Sequence, residues 1–539
     1  MNGRERLLSA FTLNATDRTP WVPFVGVHAA QLIGRAAGEY LRSEQLIVEG
    51  VGKAIELYRP DGIPVVFDLQ LEAEALGCQL LWSDSAPPAV CSHPLSEGKA
   101  LSDLAFHSGD HKRIAAVINA TKELRRRHPD TALYGLITGP FTLGLHLLGT
   151  DIFLQMLETP TRVHDLMDFC SGVTLQMSDL YLDAGCDVIA LVDPMTSQID
   201  PGSFGQFIAS HAHRLFDHVR RSGAKSSFFV CGYAQQNVEA MCLCGPDNIS
   251  IDENIPLSFV RDVALANRVS FGGNMRLTTV LLMGSEEDVE REALDCMDMG
   301  GDSGFVLSPG CDLPMKTPVQ NLMAVTNLVR DAYRQQVVRT TERHERDLRL
   351  LNMADYGQTD KVIVDVITLD SESCAPCQYM VEAVKRVAPH FEGIVEWREH
   401  PIVHIESVSF MSSLMVKNIP TICIDGKIEF VSKIPPQQDL IAAIQRRINE
   451  KLRHKIRSHR GAVLILGADE AECRSLRERV EEAARELGAH IEVSESTDPE
   501  QRAIFGVYHT PAMIVAKYRL KSQGTLPSGE VIKEWIKEL

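Results

Sequence analysis

The 539-residue chain lacks any run of about 18 apolar residues, so the sequence predicts no membrane-spanning helix. It also lacks a basic excess, because 54 Lys and Arg residues are outnumbered by 72 Asp and Glu residues. Since the phosphate backbone of nucleic acids selects basic surfaces, we expect no nucleic-acid partner. The first residues carry charge with no apolar segment behind them, which is not the pattern of a signal peptide. The 13 cysteines are scattered rather than spaced as a disulfide framework, and we expect a reducing cytoplasm.

The chain does contain a long alternation of short apolar runs and amphipathic helical segments. Eight such runs, each followed by a turn and a helical stretch, occupy residues 21–25, 63–67, 132–137, 187–192, 227–230, 248–251, 269–271 and 304–307. Strands that alternate with helices predict an α/β protein with a parallel sheet. Eight strands in about 300 residues favour a closed (β/α)8 TIM barrel, which we assign to residues 1–335.

Two smaller α/β domains are predicted after the barrel. The polar segment 336–357 is interpreted as a linker, and residues 358–452 form the first small domain. A basic linker at 453–460 leads to the second small domain, residues 461–539. The order of strand, cysteine, helix, strand, X-Pro, hairpin and helix occurs in both domains, which indicates an internal repeat.

Two cysteines of the predicted barrel follow strands directly. Cys231 comes after the run 227–230, and Cys311 comes shortly after the run 304–307. The carboxyl ends of barrel strands meet at one face, where the chemistry of such barrels lies, so the two thiols can meet in space. Two thiolates could hold a soft metal ion. Buried structural cysteines are the other interpretation of this pair.

Several barrel segments, taken in order, resemble the uroporphyrinogen decarboxylase superfamily, in particular its corrinoid-dependent methyltransferase branch. They are Asp17-Arg18-Thr19-Pro20, Glu72-Ala73-Glu74-Ala75-Leu76-Gly77, Thr138-Gly139-Pro140-Phe141-Thr142, Asp193-Pro194, Ile249-Ser250-Ile251-Asp252-Glu253, Phe271-Gly272-Gly273-Asn274 and Leu307-Ser308-Pro309-Gly310-Cys311. That branch includes the methylcobamide:coenzyme M methyltransferases. The resemblance implies a zinc site of the form His-X-Cys plus a distant Cys, where a zinc-bound thiolate attacks a methyl group carried on a cobalt corrinoid.

By this resemblance, Cys231 and Cys311 are the two cysteine ligands of zinc, but Phe229 stands at the histidine position. Catalytic zinc needs three protein ligands, so a third ligand has to come from elsewhere. The candidates directly follow predicted strands: His28, Asp68, Asp193 and Asp252. We predict His28 as the metal ligand, Asp193 and Asp252 as cofactor-binding residues, and Asp68 as a catalytic residue. The three aspartates could instead cap helices or bind loop backbone.

The motif Cys374-Ala375-Pro376-Cys377 follows a predicted strand and opens a helix. Together with Ile419-Pro420-Thr421, it resembles the thioredoxin/glutaredoxin family. The resemblance implies that Cys374 is the nucleophile, Cys377 the resolving thiol and Pro420 a cis-proline beside them. A zinc knuckle or a buried cysteine pair is the alternative. In the second small domain, Glu470 stands at the first cysteine position and Cys473 at the second, so we expect a structural or docking role there.

The leading hypothesis is a zinc-assisted methyltransferase, which passes a methyl group from a methylcobamide to a thiol, coupled to a thiol–disulfide redox module. No corrinoid-binding helical domain is evident, so methylcobalamin or another corrinoid would come from a partner protein or as free cobamide. A small thiol substrate and a cellular thiol reductant are the other expected partners. One alternative is a thiol–disulfide oxidoreductase whose barrel is a metal-free corrinoid- or tetrapyrrole-binding platform. Another is a decarboxylase-type lyase acting through Asp68.

Overall fold

The computed structural model of the chain describes residues 1–537, with the exception of residues 108, 110, 342–349, 355, 360, 372, 373, 459–461, 490, 516–518, 524 and 525. Its largest sheet has seven parallel strands, each hydrogen-bonded to the next in chain order. They are Gly62–Pro64, Ala132–Thr138, Val188–Val192, Lys225–Val230, Asn248–Ile251, Ser270–Met275 and Phe305–Pro309. This curled sheet confirms the TIM-barrel prediction for the first part of the chain.

The predicted first strand, residues 21–25, is reduced to a single bridge between Trp21 and Leu307. Val22 N donates to Leu307 O at 3.0 Å, and Asp61 N, just before the strand Gly62–Pro64, donates to Trp21 O at 2.9 Å. This segment therefore joins the last strand of the sheet to the first. Pro20 and Pro23 flank the bridge, and proline cannot donate to a strand ladder, which limits the pairing to one bridge.

Helices and short helical turns separate the barrel strands. The α-helices are Gly3–Phe11, His28–Leu32, Ala37–Tyr40, Glu44–Tyr58, Leu71–Ala75, Lys112–Arg127, Pro140–Leu148, Asp151–Glu158, Pro160–Asp183, Pro201–Phe207, Ala209–Arg221, Val238–Leu243, Leu257–Ala266, Glu286–Gly300, Val319–Arg330 and Ala332–Thr340. Leu277–Leu282 is a π-helix, and Leu101–Asp103, Pro194–Gln198 and Gln235–Asn237 are 3-10 turns. A ribbon of Leu80–Leu81 and Ala89–Val90 completes the domain. Among the helices described, none combines the length and the apolar character that crossing a membrane needs.

Apolar side chains fill the ring of strands. Phe229 lies 4.8 Å from Phe24 and 5.7 Å from Phe67, measured between ring centroids. Val192, Val306 and Tyr134 belong to the same buried cluster. The barrel strands are buried along their whole length, as expected where helices cover a parallel sheet whose interior is packed with side chains.

The first small domain has a four-stranded sheet in the order Val395–Pro401, Val362–Thr368, Thr421–Ile424 and Lys427–Val431. The first pair is parallel and the other two pairs are antiparallel. Its helices are Ala375–Val387, Ile405–Ser413 and Gln437–Ser458, with a 3-10 turn at Ala388–Phe391. Because the last helix continues to Ser458, most of the predicted basic linker 453–460 is helical.

The second small domain repeats this sheet. Its strands lie in the order Glu492–Ser496, Ala462–Leu466, Ala512–Val515 and Arg519–Gln523, with the same parallel and antiparallel pairs. Its helices are Glu470–Leu487, Pro499–Ile504 and Gly529–Ile536. Pro420 and Pro511 follow cis peptide bonds at the same place in the two domains. The internal repeat read from the sequence is therefore present in the fold.

The first small domain shares an apolar core with the barrel. A single cluster of buried side chains contains Phe141 and Leu147 of the barrel together with Val364 and Tyr379 of the small domain. The second small domain has its own core around Val463 and Leu476. The predicted linker 336–357 begins inside the helix Ala332–Thr340, and residues 342–349 and 355 of it lie outside the described residues.

Candidate active site

A cavity of about 610 Å³ lies between the mouth of the barrel and the first small domain. Cys231 and Cys311 line it from the barrel, at the ends of the strands Lys225–Val230 and Phe305–Pro309. Cys374, Cys377 and Pro420 line it from the small domain. The sequence predicted these residues as two separate sites, and the structure brings them to one cavity.

The two barrel cysteines are joined. Cys231 and Cys311 form a disulfide with their Cα atoms 5.9 Å apart, 80 residues apart in the chain. The expectation that these strand-end cysteines meet at the barrel mouth holds. In the disulfide form, however, the two sulfur atoms are not thiolates, and a zinc ion needs thiolate ligands.

His28 does not serve as the missing zinc ligand. Its Nε2 lies 2.7 Å from the hydroxyl of Tyr58, and its Nδ1 lies 3.0 Å from the carbonyl of Met315. Both ring nitrogens are thus engaged inside the protein, and burial lowers the pKa of this imidazole to about 4. The helix His28–Leu32 directs the side chain into the core rather than the cavity, so this geometry does not support the prediction of His28 as a metal ligand.

The residues around the cysteine pair do not fit a three-ligand zinc site. The side chain of Phe229, at the position of the family histidine, is part of the apolar filling of the ring. Over the part of the chain that the structure describes, no group of three or more His, Cys, Asp or Glu side chains is placed to hold a metal ion. Two sulfur donors alone leave catalytic zinc one ligand short.

Asp68 and Asp193 are held by other parts of the barrel. The carboxylate of Asp68 is paired with Arg113 and accepts a hydrogen bond from Gln70 N at 3.0 Å. Asp193 accepts bonds from Thr142 N at 2.8 Å and from the Thr142 hydroxyl at 2.6 Å, at the start of the helix Pro140–Leu148. Burial raises the pKa of Asp193 to about 6. Neither aspartate lines the cavity. Asp193 therefore binds the start of a helix, which was the alternative to cofactor binding. This geometry does not support the prediction of Asp193 as a cofactor ligand.

Asp252 does line the cavity, together with two acidic residues of the barrel that the sequence analysis missed. Its carboxylate accepts hydrogen bonds from Gly232 N at 2.8 Å and Asn254 N at 2.9 Å, and burial raises its pKa. The neighbouring Glu253 accepts from Leu277 N at 2.5 Å. Burial, followed by the charge of Asp252, raises the pKa of Glu253 to about 8.

Asp312 is the second missed acid, and it directly follows Cys311. Its Oδ1 is buried and has no hydrogen-bond partner among the described residues, and burial raises its pKa well above the ordinary range. Both missed acids come one residue after a position that the sequence analysis did select. Extending each strand-end motif by one residue would have found them, because loops after barrel strands carry the side chains of the site.

The dithiol motif has the geometry expected of a thioredoxin fold. Cys374 is partly exposed at the N-terminus of the helix Ala375–Val387, whereas Cys377 is fully buried in its first turn. Leu369 N donates to Sγ of Cys377 at 3.4 Å. Burial, with a further contribution from Cys374, raises the pKa of Cys377 well above its ordinary value. The more exposed Cys374 is thus the residue placed to act as nucleophile, with Cys377 behind it.

Side-chain contacts fix the dithiol helix against the barrel. Gln378 donates to the carbonyl of Val90 at 2.7 Å, and the Tyr379 hydroxyl lies 3.0 Å from Nδ1 of His146. At the other edge, Gln198 donates to the carbonyl of Ser432 at 3.0 Å and accepts from Ile434 N at 2.9 Å. Gln198, Gln378 and Tyr379 are all buried, so these contacts are internal to the molecule rather than surface encounters.

The second small domain has no comparable dithiol. Glu470 is the first residue of the helix Glu470–Leu487, and Cys473 lies in its first turn, buried beneath the strand Ala462–Leu466. Burial raises the pKa of Cys473. A buried single thiol without a cysteine partner fits the structural role expected for this domain.

Comparison with known proteins agrees with this architecture. The family model for uroporphyrinogen decarboxylase (URO-D) matches residues 2–332, and a thioredoxin domain model matches residues 462–537. A methylcobamide:CoM methyltransferase of Methanosarcina acetivorans is 25% identical over 336 residues, covering 61% of this chain and 97% of the relative. A methylcobamide:CoM methyltransferase of Methanosarcina barkeri is 25% identical over 338 residues, covering 61% of this chain and 98% of the relative.

A solved structure of a methyltransferase from Methanosarcina mazei shares the barrel fold. It has a TM-score of 0.57 and 24% sequence identity, and the match covers 62% of this chain and 99% of that chain. The family match spans well over half of the 539 residues. The chain therefore belongs to the uroporphyrinogen decarboxylase (URO-D) family.

Proposed function

We propose that the protein transfers a methyl group from a methylcobamide to a small thiol, and that its dithiol domain controls the redox state of the thiols involved. The observation that carries this proposal is the shared cavity, lined by Cys231 and Cys311 on one side and by Cys374 and Cys377 on the other. The names of the methyltransferase relatives supply the donor class and the acceptor class. The cavity volume of about 610 Å³ suits a small ligand.

In this proposal, the acceptor thiol binds in the cavity and loses its proton to the ionised form of Glu253, which prevails above a pH of about 8. A thiol has an ordinary pKa of about 8.5, so proton transfer to a carboxylate whose pKa is raised to about 8 is nearly balanced in free energy. The thiolate sulfur then forms a bond to the methyl carbon of the donor, and the electron pair of the broken carbon–cobalt bond stays with cobalt. The products are a methyl thioether and the demethylated cobamide, which leaves with the partner that brought it.

Zinc assistance finds weak support in the residues of this chain. If Cys231 and Cys311 were reduced, they would supply two sulfur ligands and zinc would lower the pKa of the acceptor thiol. Phe229 and His28 both fail to supply the third ligand, for the reasons given above. We therefore assign the proton transfer to Glu253 and no step to zinc.

The test is a methyl-transfer assay on the full chain, reduced and kept free of oxygen. Methylcobalamin is the donor, 2-mercaptoethanesulfonate and 2-mercaptoethanol are the acceptors, and loss of methylcobalamin absorbance is followed. We expect thiol-dependent demethylation, which Glu253→Gln slows by about 100-fold because it removes a general base. The exposed Cys91→Ser variant serves as control and should match the wild type. Absence of thiol-dependent demethylation by the reduced wild-type protein would overturn the proposal.

A second candidate is a thiol–disulfide oxidoreductase whose barrel binds a corrinoid or tetrapyrrole without metal. The observation that favours it is Phe229 at the position of the family histidine. Spectral titration with cobalamin and with a porphyrin separates the candidates. Binding without methyl transfer supports the second candidate, whereas absence of any spectral change counts against it.

The lyase alternative has the least support. Its catalytic group would be Asp68, whose carboxylate is instead bound to Arg113 and lies outside the cavity lining. An ion-paired carboxylate of this kind is a structural element of the barrel wall.

A further inference from the structure

We infer that the substrate of the Cys374–Cys377 dithiol is the Cys231–Cys311 disulfide of the same chain. This inference deepens the redox part of the proposed function and makes no use of methyl transfer. It assigns the barrel cysteines as a pair that is opened and closed by an internal reductase.

The dithiol loop packs directly on the loop that carries Cys231. A Cβ atom placed on Gly232, the residue after Cys231, would lie 3.8 Å from Cγ of Pro376. Pro376 is the residue just before Cys377 in the motif. The four sulfur atoms thus belong to a single cavity rather than to two sites on opposite faces of the protein.

The barrel also occupies the face that a protein substrate of the dithiol would need. Cys374, Pro376 and the cis-proline Pro420 form the side of the cavity that belongs to the small domain, and the barrel mouth forms the other side. The contacts of Gln378, Tyr379 and Gln198 keep the two domains together. Holding two reacting groups in one fixed cavity gives them an effective concentration far above that of any free disulfide.

The burial of the two cysteines sets which of them attacks first. Cys374 is partly exposed to the cavity, whereas Cys377 is fully buried. The thiolate of Cys374 attacks one sulfur of the Cys231–Cys311 bond, a new S–S bond forms, and the other barrel sulfur leaves as a thiolate that takes up a proton. Cys377 then loses its proton and attacks Cys374, releasing the second barrel thiol. The barrel pair gains two electrons and two protons, and the dithiol pair loses them.

Regeneration needs an external dithiol reductant, which converts the Cys374–Cys377 disulfide back to the dithiol. The barrel cysteine pair therefore exists in one of two forms, a disulfide or a dithiol. In the disulfide form the cavity wall contains no barrel thiol, and in the dithiol form it contains two thiols, in the same cavity as the acidic residues Asp252 and Glu253.

The first test traps the mixed disulfide in the full chain. The double variant Cys311→Ser/Cys377→Ser leaves Cys231 and Cys374 in the cavity, and Cys231→Ser/Cys377→Ser leaves Cys311 and Cys374. Each variant is held in a glutathione redox buffer, alkylated, digested and analysed by mass spectrometry. We expect a peptide linked through Cys374 and the remaining barrel cysteine in at least one variant. If neither variant contains it, although Cys374 reacts with iodoacetamide in both, the inference is overturned.

The second test remains informative if the double variants fail to fold. The Cys231–Cys311 disulfide of the wild type is reduced by a limiting amount of dithiothreitol, and the alkylation of the two peptides is followed over time. We expect Cys374→Ser to slow this reduction by at least about ten-fold, since it removes the high local thiol concentration. Cys91→Ser should match the wild type. Equal rates in wild type and Cys374→Ser would overturn the inference. Because both tests read cysteine states only, a negative methyl-transfer assay does not affect them.

Discussion

Pro376, in the middle of the dithiol motif, packs on Gly232, the residue that follows the barrel cysteine Cys231. Gly232 has a φ of +93°, a backbone conformation that L side chains rarely adopt, and its N–H donates to Asp252. The turn after the strand Lys225–Val230 is therefore compact, and the small domain can approach the barrel closely. At this contact the two cysteine pairs lie close together in space, although they are far apart in the sequence.

Cys374→Ser should abolish the reduction of a small disulfide by the protein, with a loss of about 100-fold or more, because the nucleophile is removed. The barrel should remain folded, since Cys374 is partly exposed and contributes little to the core. Reductase activity with a chromogenic disulfide and circular dichroism measure the two effects. Cys473→Ser, in the second small domain, is the matched control and should keep the activity. A Cys374→Ser variant as active as the wild type would show that the dithiol assignment is wrong.

Gln198→Ala should loosen the first small domain from the barrel. The variant loses the two buried hydrogen bonds that join the domains and leaves the carbonyl of Ser432 and the N–H of Ile434 unpaired, at a cost of about 1–3 kcal/mol. Faster hydrogen exchange at the amide of Ile434 reports the change. Gln236→Ala is the control, because Gln236 donates to two barrel carbonyls, those of Ser197 and Ile199. Unchanged exchange in Gln198→Ala would contradict the role given to this contact.

Glu253→Gln should weaken the dependence of stability on pH. The carboxyl of Glu253 has a pKa of about 8 in the folded protein, raised from an ordinary value of 4.5. Between these values the folded state keeps a proton that the unfolded state has lost, so the free energy of unfolding falls as pH rises. The variant lacks this group, and we expect its free energy of unfolding to fall less over that interval, by about 1 kcal/mol or more.

Denaturant unfolding at several pH values between about 5 and 8 measures the effect on Glu253→Gln. Glu56→Gln is the control, because Glu56 is exposed on its helix and pairs only with the neighbouring Lys53. Parallel pH profiles for Glu253→Gln and the wild type would rule out a raised pKa for Glu253.

Protein purified without oxygen should contain well under one zinc ion per chain, because the described residues provide the two barrel cysteines with no third ligand. Plasma mass spectrometry of the wild type and of Cys231→Ser/Cys311→Ser measures this, and we expect similar low values for both. A value near one zinc per wild-type chain that is lost in the double variant would show that a ligand outside the described set completes the site. In that case thiol activation would pass from Glu253 to the metal.

Local sequence patterns were sufficient for the repeating parts of this protein. The alternation of apolar runs and amphipathic segments predicted the parallel barrel, since a strand buried on both faces needs a continuous apolar run. Cys374, Cys377 and Pro420 were identified because two short motifs resemble the thioredoxin/glutaredoxin family. The repeat in residues 461–539 was visible because the same order of predicted elements occurs there, with Pro511 at the position of Pro420.

Other features depended on which side chains meet across the fold. Whether His28 turns to the cavity or to Tyr58, and whether Asp193 holds a cofactor or the helix Pro140–Leu148, is decided by packing between distant segments. The pairing at Trp21 is limited to one bridge because prolines flank it, and this segment lies between the last and the first strand of the sheet. Sequence alone thus determined a URO-D-type barrel followed by two thioredoxin-like repeats. Only the tertiary structure placed the dithiol against the barrel cysteines, because buried contacts such as those of Gln198 and Tyr379 join residues more than 200 positions apart.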